Sequence, residues 1–153
     1  MHEKIFLSRG AFERLIHDII YMEEEKEELL EYFSVKSPER AELKQLIENY
    51  IRQVDLLIRN VKVSSTSENS LPFVIINSEV GLYSLDNNFL TKVRIVLPLH
   101  NIEEQDIPFL SPFGMTLLLK AVGSEVTLST AQGLLRYRID AIFYSSKSPA
   151  ASG

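Results

Sequence analysis

Two glutamates three residues apart are the side chains in this sequence best placed for chemistry. Glu39 and Glu42 follow Ser37-Pro38, a pair typical of a helix start, because Ser caps free backbone amides and Pro suits the first helical position. Residues at this spacing lie on one helix face, and Mg²⁺ prefers carboxylate oxygens as ligands. The pair can therefore present a divalent cation, or it can be surface charge that the helix dipole favours.

Other residues that could carry chemistry are scattered. His2, His17 and His100 lie far apart and lack the spacing of a metal site. The absence of cysteine excludes disulfide scaffolds, thiolate metal sites and cysteine nucleophiles. The sequence also has no nucleophile-elbow motif and no glycine-rich phosphate loop. We therefore expect a protein that is not an enzyme and that holds no cofactor or metal of its own.

The overall composition is that of a globular protein with one long domain or two small ones. Apolar residues make up 45% of the 153 residues and charged residues 24%. The net charge is −5, without a basic stripe, so nucleic acid would be reached only through a partner. No apolar run is long enough to cross a membrane, and the first residues do not resemble a signal peptide.

The elements that must position the two glutamates are predicted to be two long helices. Between residues 9 and 62 the apolar side chains follow steps of three and four, the spacing of a coiled coil. In the first helix they are Phe12, Leu15, Ile19, Met22, Leu29 and Phe33, with Lys26 in the missing slot; in the second they are Leu43, Ile47, Tyr50, Val54, Leu57 and Val61. Only about residues 34–36 remain for the turn, which predicts an antiparallel pair. The same spacing also fits a helical bundle or a dimer interface.

The second half of the chain is predicted to be rich in strands. Residues 64–71 are polar and rich in turn formers, which predicts a linker. The apolar period then changes to two, and it predicts strands at 73–76, 80–85, 92–97, 126–130 and 135–143, with one helix at 114–121. In the last strand the residues predicted to face the core are Leu135, Tyr137, Ile139, Ala141 and Phe143. The predicted domains are therefore 1–63, the linker 64–71, and 72–145, followed by a disordered tail at 146–153.

A family resemblance is carried by residues 110–126, LSPFGMTLLLKAVGSEV. This stretch resembles the signature of the C-terminal domain of the GreA/GreB transcription elongation factors: a Ser-Pro turn, a short Leu-Leu helix, then Lys-x-Val-Gly-Asp-x-Val. Residues 130–133 and 137–144 match the family's final hairpin. Residues 77–80 and 93–98 are also similar to the regulator of nucleoside diphosphate kinase.

The resemblance implies both a fold and a function. The fold class would be α+β, an N-terminal antiparallel coiled-coil hairpin followed by a C-terminal FKBP-like β-rich domain. The protein would be a bacterial cytoplasmic factor, expected to be a monomer, that binds the rim of the RNA polymerase secondary channel and inserts the hairpin. Ser111, Pro112 and Phe113 would form the polymerase-binding turn; the alternative is a tight turn with Phe113 in the core.

Departures from the family pattern bear on the activity. Ser124 replaces the usual Asp, Ala131 the usual Pro, and Leu119 the Gly of many members. Cleavage-active members carry a Gly-Asp-Leu-x-Glu-Asn-x-Glu-Tyr run at the hairpin tip, where two acids help hold a polymerase-bound Mg²⁺. No such run is present here, so we expect regulation without strong stimulation of transcript cleavage. If cleavage is stimulated, Glu39 and Glu42 are the candidate residues.

Several interpretations of the sequence stay open. The acidic run of residues 23–28, with Glu31, suits either the basic wall of a polymerase channel or a solvated helix face. Glu103, Glu104 and Asp106 are predicted to be surface charge in a loop. Remoter functions are an FKBP-like prolyl isomerase or chaperone, and a module that dimerises through its helices.

Overall fold

The computed structural model describes residues 5–31, 38–65, 68–97, 106–109 and 111–145. The chain divides into two compact units, Met1–Thr66 and Ser67–Gly153. The division falls within the polar stretch 64–71. Leu71, near the end of that stretch, is buried, and its N–H donates to the carbonyl of Ile142.

The first unit contains two short strands and three helices. They are β1 (Ile5–Leu7), α1 (Arg9–Glu24), α2 (Lys26–Glu31), α3 (Pro38–Arg59) and β2 (Val61–Val63). Ile5 pairs with Val61 in a parallel β1–β2 ladder, and the Lys26 ammonium lies 3.5 Å from a Glu48 carboxylate oxygen. Between Ile5 and Lys26 the residue number rises, while the partner's number falls from Val61 to Glu48. Helices α1 and α2 therefore run antiparallel to α3.

The helix ends and buried faces mostly follow the sequence pattern. The Ser8 hydroxyl caps α1 by accepting the Ala11 N–H at 3.2 Å, and Pro38 is the first residue of α3. The predicted seam is confirmed where the side chains are buried, at Leu15, Ile19, Met22, Leu43, Ile47, Tyr50, Val54 and Leu57. Ala11 is buried in place of Phe12, and Val61 lies in a strand. The Leu29 side chain and Phe33 lie outside the described residues.

The first helix is interrupted at Glu25, where the sequence predicts it to continue. The Glu25 N–H still donates to the Tyr21 carbonyl at 2.8 Å, but its φ of −100° and ψ of 11° leave the helical region. Neighbouring carboxylates at spacings of three and four repel one another in a regular helix, and the acidic run contains several such pairs. Among the described side chains, the next buried one after the break is that of Leu30.

The second unit is built around a five-stranded mixed sheet. Its elements are β3 (Ser78–Ser84), β4 (Leu90–Val96), β5 (Asp106–Pro108), α4 (Pro112–Leu117), β6 (Glu125–Thr130) and β7 (Gly133–Tyr144). The strand order is β5-β4-β3-β7-β6, and β5 pairs parallel with β4 while the other neighbours are antiparallel. The predicted β6–β7 hairpin is confirmed.

Two sequence predictions for this unit are wrong in detail, and one strand was not predicted. Residues 73–76 form no strand, although Val74, Ile75 and Ile76 are buried; Phe73 makes only an isolated bridge to Ala121. Helix α4 begins at Pro112 and ends at Leu117, because Ser111 caps it early and Leu119 adopts a left-handed φ of 67°. Strand β5 was not predicted, since three residues are too few to show a period of two.

A β-bulge changes which side of β7 faces the core. Gly81 pairs with Ala141 and Leu82 with Ile139, so Asp140 is an extra residue on β7. Beyond it the buried residues are Ile142 and Tyr144, while Phe143 is 37% exposed. The prediction that Phe143 faces the core is therefore wrong. The α+β class is confirmed, whereas the coiled-coil packing and the FKBP-like likeness stay predictions.

Candidate functional site

The best-defined surface feature among the predicted site residues is the turn that joins β5 to α4, here called the Ser111 turn. Ser111 has an extended backbone, and its hydroxyl accepts the Gly114 N–H at 3.0 Å and donates to the Pro108 carbonyl at 2.7 Å. Its own N–H donates to the same carbonyl at 3.0 Å. The hydroxyl is therefore committed to fixing the turn, which is the alternative role that the sequence left open.

Gly114 allows the helix to press against the strand before it. A Cβ atom built at this position would overlap the Pro108 carbonyl oxygen and would lie 2.8 Å from the Phe109 Cα. Both are backbone atoms next to the buried Phe109, so neither can easily move aside. Glycine at this position therefore follows from close packing between α4 and the end of β5.

The other two predicted residues differ in exposure. Phe113 is half-buried, and its ring centroid lies 5.8 Å from that of Tyr137 on β7 at an interplanar angle of 35°. Pro112 is exposed, and so is Met115 three residues later on the same helix face. Among the described residues, Pro112 and Met115 therefore form an exposed apolar part of the turn. Met115 was not among the predicted site residues.

A buried ion pair joins the two strands that precede the turn. The Arg94 Nε and Nη2 donate to the two carboxylate oxygens of Asp106, each at 2.9 Å. The side chains are 11% and 3% exposed. The prediction that Asp106 is surface charge in a loop is therefore wrong, because Asp106 begins β5 and lies inside the unit. Glu103 and Glu104 lie outside the described residues.

Two partly exposed ion pairs involve arginines of β7: one reaches Asp86 in the β3–β4 turn, and the other reaches Asp140 at the bulge of the same strand. Asp86 accepts the Arg136 guanidinium at 2.9 Å and the Arg136 backbone N–H at 3.0 Å, and these bonds lower the pKa of Asp86. Arg138 donates to Asp140 at 2.7 Å, which raises the pKa of Arg138, and its guanidinium lies 4.8 Å from the centre of the Tyr83 ring. The Asp86–Arg136 contacts hold the β3–β4 turn against β7, and the Arg138 contacts lie within the sheet.

The predicted metal-presenting pair lies near the start of α3. Glu42 is exposed, whereas the Glu39 side chain lies outside the described residues, so their mutual geometry is not defined. In the acidic run at the break between α1 and α2, a hydrogen bond with the Glu28 carboxyl and the charge of Glu28 raise the pKa of Glu25. Burial, and then the charges of Glu25 and Glu28, raise the pKa of Tyr21.

The described part of the chain shows no group of three or more histidine or acidic residues that could hold a metal ion. His17 is exposed on α1, and His2 and His100 lie outside the described residues. Among the described helices, none is both long and apolar enough to span a bilayer.

Comparison with known proteins gives one family match. Residues 69–144 match the family model described as transcription elongation factor, GreA/GreB, C-terminal. A comparison with curated proteins finds no match. The matched stretch contains the Ser111 turn, Arg94 and Asp106.

Several solved structures are similar at low identity. One is the prokaryotic transcription elongation factor GreA/GreB from Nitrosomonas europaea, with 24% identity, 94% of this chain and 100% of that chain covered, and a TM-score of 0.48. Another is GreA factor homolog 1 (Gfh1) of Thermus thermophilus, with 21% identity, 92% and 99% covered, and a TM-score of 0.40. A third is Gfh1 of Thermus aquaticus, with 20% identity, 93% and 99% covered, and a TM-score of 0.43.

Proposed function

The chain belongs to the GreA/GreB family of transcription elongation factors through its C-terminal domain, and we propose that it is a bacterial factor that binds RNA polymerase at the rim of the secondary channel. The match of residues 69–144 to the family's C-terminal domain carries this proposal. In this proposal the factor acts in the cytoplasm, reaches nucleic acid only through the polymerase, and is not itself an enzyme.

The Ser111 turn is the proposed docking surface. Its backbone is fixed by the Ser111 hydroxyl and by the close approach of Gly114 to Pro108, so it is rigid before it meets a partner. Pro112 is exposed at the tip of this rigid turn. A preorganised apolar contact of this kind suits a protein–protein interface.

The helices of the first unit are the proposed probe. Their antiparallel course and their buried Leu, Ile and Val side chains support a coiled-coil hairpin that enters the channel. In the absence of the family's acidic tip run, the hairpin would occupy the channel without strongly stimulating cleavage. The C-terminal unit would supply the FKBP-like anchor.

Binding to core RNA polymerase tests the docking surface. Pro112→Asp places a charge where the turn is apolar, and we expect the Kd to rise by at least about tenfold. Leu134→Asp is a matched control, because Leu134 is an exposed apolar residue of the same unit, on the β6–β7 hairpin. No binding of the wild-type chain at micromolar concentration would refute the proposed function.

Transcript cleavage separates the two versions of the activity. We expect little stimulation when the chain is added to a stalled, backtracked polymerase complex. Strong stimulation would favour the alternative, in which Glu39 and Glu42 help hold the polymerase Mg²⁺. The double variant Glu39→Ala/Glu42→Ala should then abolish cleavage, while Glu27→Ala/Glu31→Ala removes the same charge from α2 and should not.

A further inference from the structure

The Arg94–Asp106 pair is the described ion pair with the least exposed side chains. Its two parallel bonds of 2.9 Å use the planar edge of the guanidinium and both oxygens of the carboxylate. Only arginine provides this fork, because lysine carries a single charged nitrogen. The two residues are also direct partners in the β4–β5 ladder.

A short covalent path leads from this pair to the Ser111 turn. Strand β5 has three residues, begins at Asp106 and ends at Pro108. The Pro108 carbonyl accepts both the Ser111 hydroxyl and the Ser111 N–H, and it occupies the space that a Cβ of residue 114 would need. The position of Pro108 therefore sets the position of the turn, and the ion pair fastens the opposite end of the same strand.

Stability alone is a weak reason for a buried ion pair. Removing two charges from water costs about as much as their attraction returns, and well-packed apolar pairs often replace such pairs without loss. A three-residue edge strand, however, has few ladder bonds to hold its register on β4. A bidentate pair at its first residue adds a geometric constraint that an apolar contact does not provide.

We propose that Arg94 and Asp106 act together as positioning residues for the Ser111 turn, holding β5 in the register that presents Pro112 to RNA polymerase. The pair itself does not touch the polymerase. This inference rests on the proposed docking function of the turn, and it adds two residues that lie outside that surface.

The test compares binding with stability in the full-length chain. In Arg94→Met/Asp106→Leu the pair becomes apolar without an orphaned charge, and we expect a melting temperature close to that of the wild type with at least about a tenfold rise in the Kd for core RNA polymerase. Arg94→Lys keeps the charge but loses the fork, and a smaller rise of several-fold is expected. The control is Lys92→Met/Glu79→Leu, which removes a more exposed pair that joins β4 to β3 and should change the Kd by less than about twofold.

Hydrogen exchange provides a readout that does not depend on polymerase or on the double variant. In Arg94→Lys we expect at least about tenfold faster exchange of the Gly114 and Met115 amides, which donate to Ser111. The Ile139 amide, which donates to Ser124, should exchange as in the wild type. A general loss of stability would instead accelerate hydrogen exchange at all three of these amides.

The outcomes separate the two proposals. If the wild-type chain binds polymerase and the well-folded variants bind equally well, the positioning role is refuted while the proposed function stands. Unchanged exchange at Gly114 and Met115, or equal acceleration at Ile139, also refutes it. If the wild-type chain does not bind at all, the proposed function fails, and the purpose proposed for the pair fails with it.

Discussion

Backbone conformation at single residues shapes the region around the Ser111 turn. Leu119 follows α4 with a φ of 67°, a left-handed conformation that costs little for glycine and about 1 kcal/mol for a branched side chain. The resemblance to the GreA/GreB family places Leu119 where many members have Gly. The N–H of Leu119 donates to the Val74 carbonyl at 2.8 Å, so the surrounding structure holds the strained conformation in place.

Replacing Leu119 with glycine should relieve this strain. We expect Leu119→Gly to be as stable as the wild type or more stable by up to about 1 kcal/mol, because the relief offsets the loss of a half-buried side chain. Thermal unfolding measures the difference. Leu118→Gly is the matched control: Leu118 is buried with an ordinary φ of −57°, and its loss should cost about 2–5 kcal/mol. Similar losses in both variants would show that the conformation of Leu119 is not strained.

Adding one methyl group at Gly114 should damage the turn. In Gly114→Ala the new Cβ meets the Pro108 carbonyl, and the required shift should cost about 1–3 kcal/mol and weaken polymerase binding. Gly10→Ala is the control in α1, where nothing lies within 4 Å of the new Cβ and the better helix former should add about 0.5–1 kcal/mol. A wild-type melting temperature in Gly114→Ala would show that α4 can move away from β5.

At the scale of elements, the sequence predicts helices and strands that are long enough to show a repeating apolar pattern, and it misses the shortest strands. The seam of α3 runs over several turns, and five of its six predicted positions are buried. Strands β1, β2 and β5 have three residues each, too few to show a period. The exposure of Phe143 was missed because a bulge depends on pairing with β3, which a single strand does not reveal.

The residues of the candidate site were predicted only in part. Ser111, Pro112 and Phe113 were identified through the family resemblance of residues 110–126. The helix itself was predicted to begin at residue 114, although a Ser-Pro pair before a short apolar run is a local helix-start signal. The burial of Asp106 was not found because its partner Arg94 lies on another strand and the intervening loop gives no pattern. A buried arginine in the middle of an apolar strand was the available signal, since such a charge needs a partner.

The break between α1 and α2 should respond to pH. Because the pKa of Glu25 is raised in the folded chain, the folded state binds more protons than the unfolded state above the usual value of 4.5. The stabilising contribution of this group is therefore complete below that value and is lost as pH rises through the folded-state pKa. We expect Glu25→Gln to melt above the wild type at pH 7, with the difference disappearing by pH 4.5.

Melting curves of both proteins over this pH range provide the measurement. Glu23→Gln removes one charge from the same acidic run and serves as the control. An equal pH-dependent gain in that variant would assign the effect to general repulsion rather than to the Glu25–Glu28 contact. A gain in Glu25→Gln that grows towards low pH would contradict a raised pKa for Glu25.

The whole molecule combines a helical unit and a sheet unit in one short chain. Helices α1 and α3 contact each other through buried side chains within the same chain, and Ile20 and Leu56 are their exposed large apolar residues. The apolar seam residues of α1 and α3 are buried within one chain, so they are not available for the contacts of a helical dimer.

The chain should therefore be a monomer in solution. Light scattering should give a mass of 17.5 kDa that does not change with concentration. The physical reason is the intramolecular pairing of the helices, which leaves no continuous exposed apolar stripe on the described parts of α1 and α3. A mass near twice this value would favour the helix-mediated dimer and would argue against a hairpin that is free to enter a channel.

The bulge at Asp140 divides the last strand into two segments with opposite alternation. Before the bulge, residues with odd numbers point inward; after it, residues with even numbers do. Deleting Asp140 removes the extra residue, so Ile139, Ala141 and Ile142 would pair with Leu82, Gly81 and Val80 in a regular ladder, and Ile142 and Tyr144 would stay buried. Deleting a residue elsewhere in β7 would instead shift one segment by one position and turn its buried side chains towards water. Strand β7 should therefore tolerate the loss of Asp140 far better than the loss of a residue on either side of the bulge.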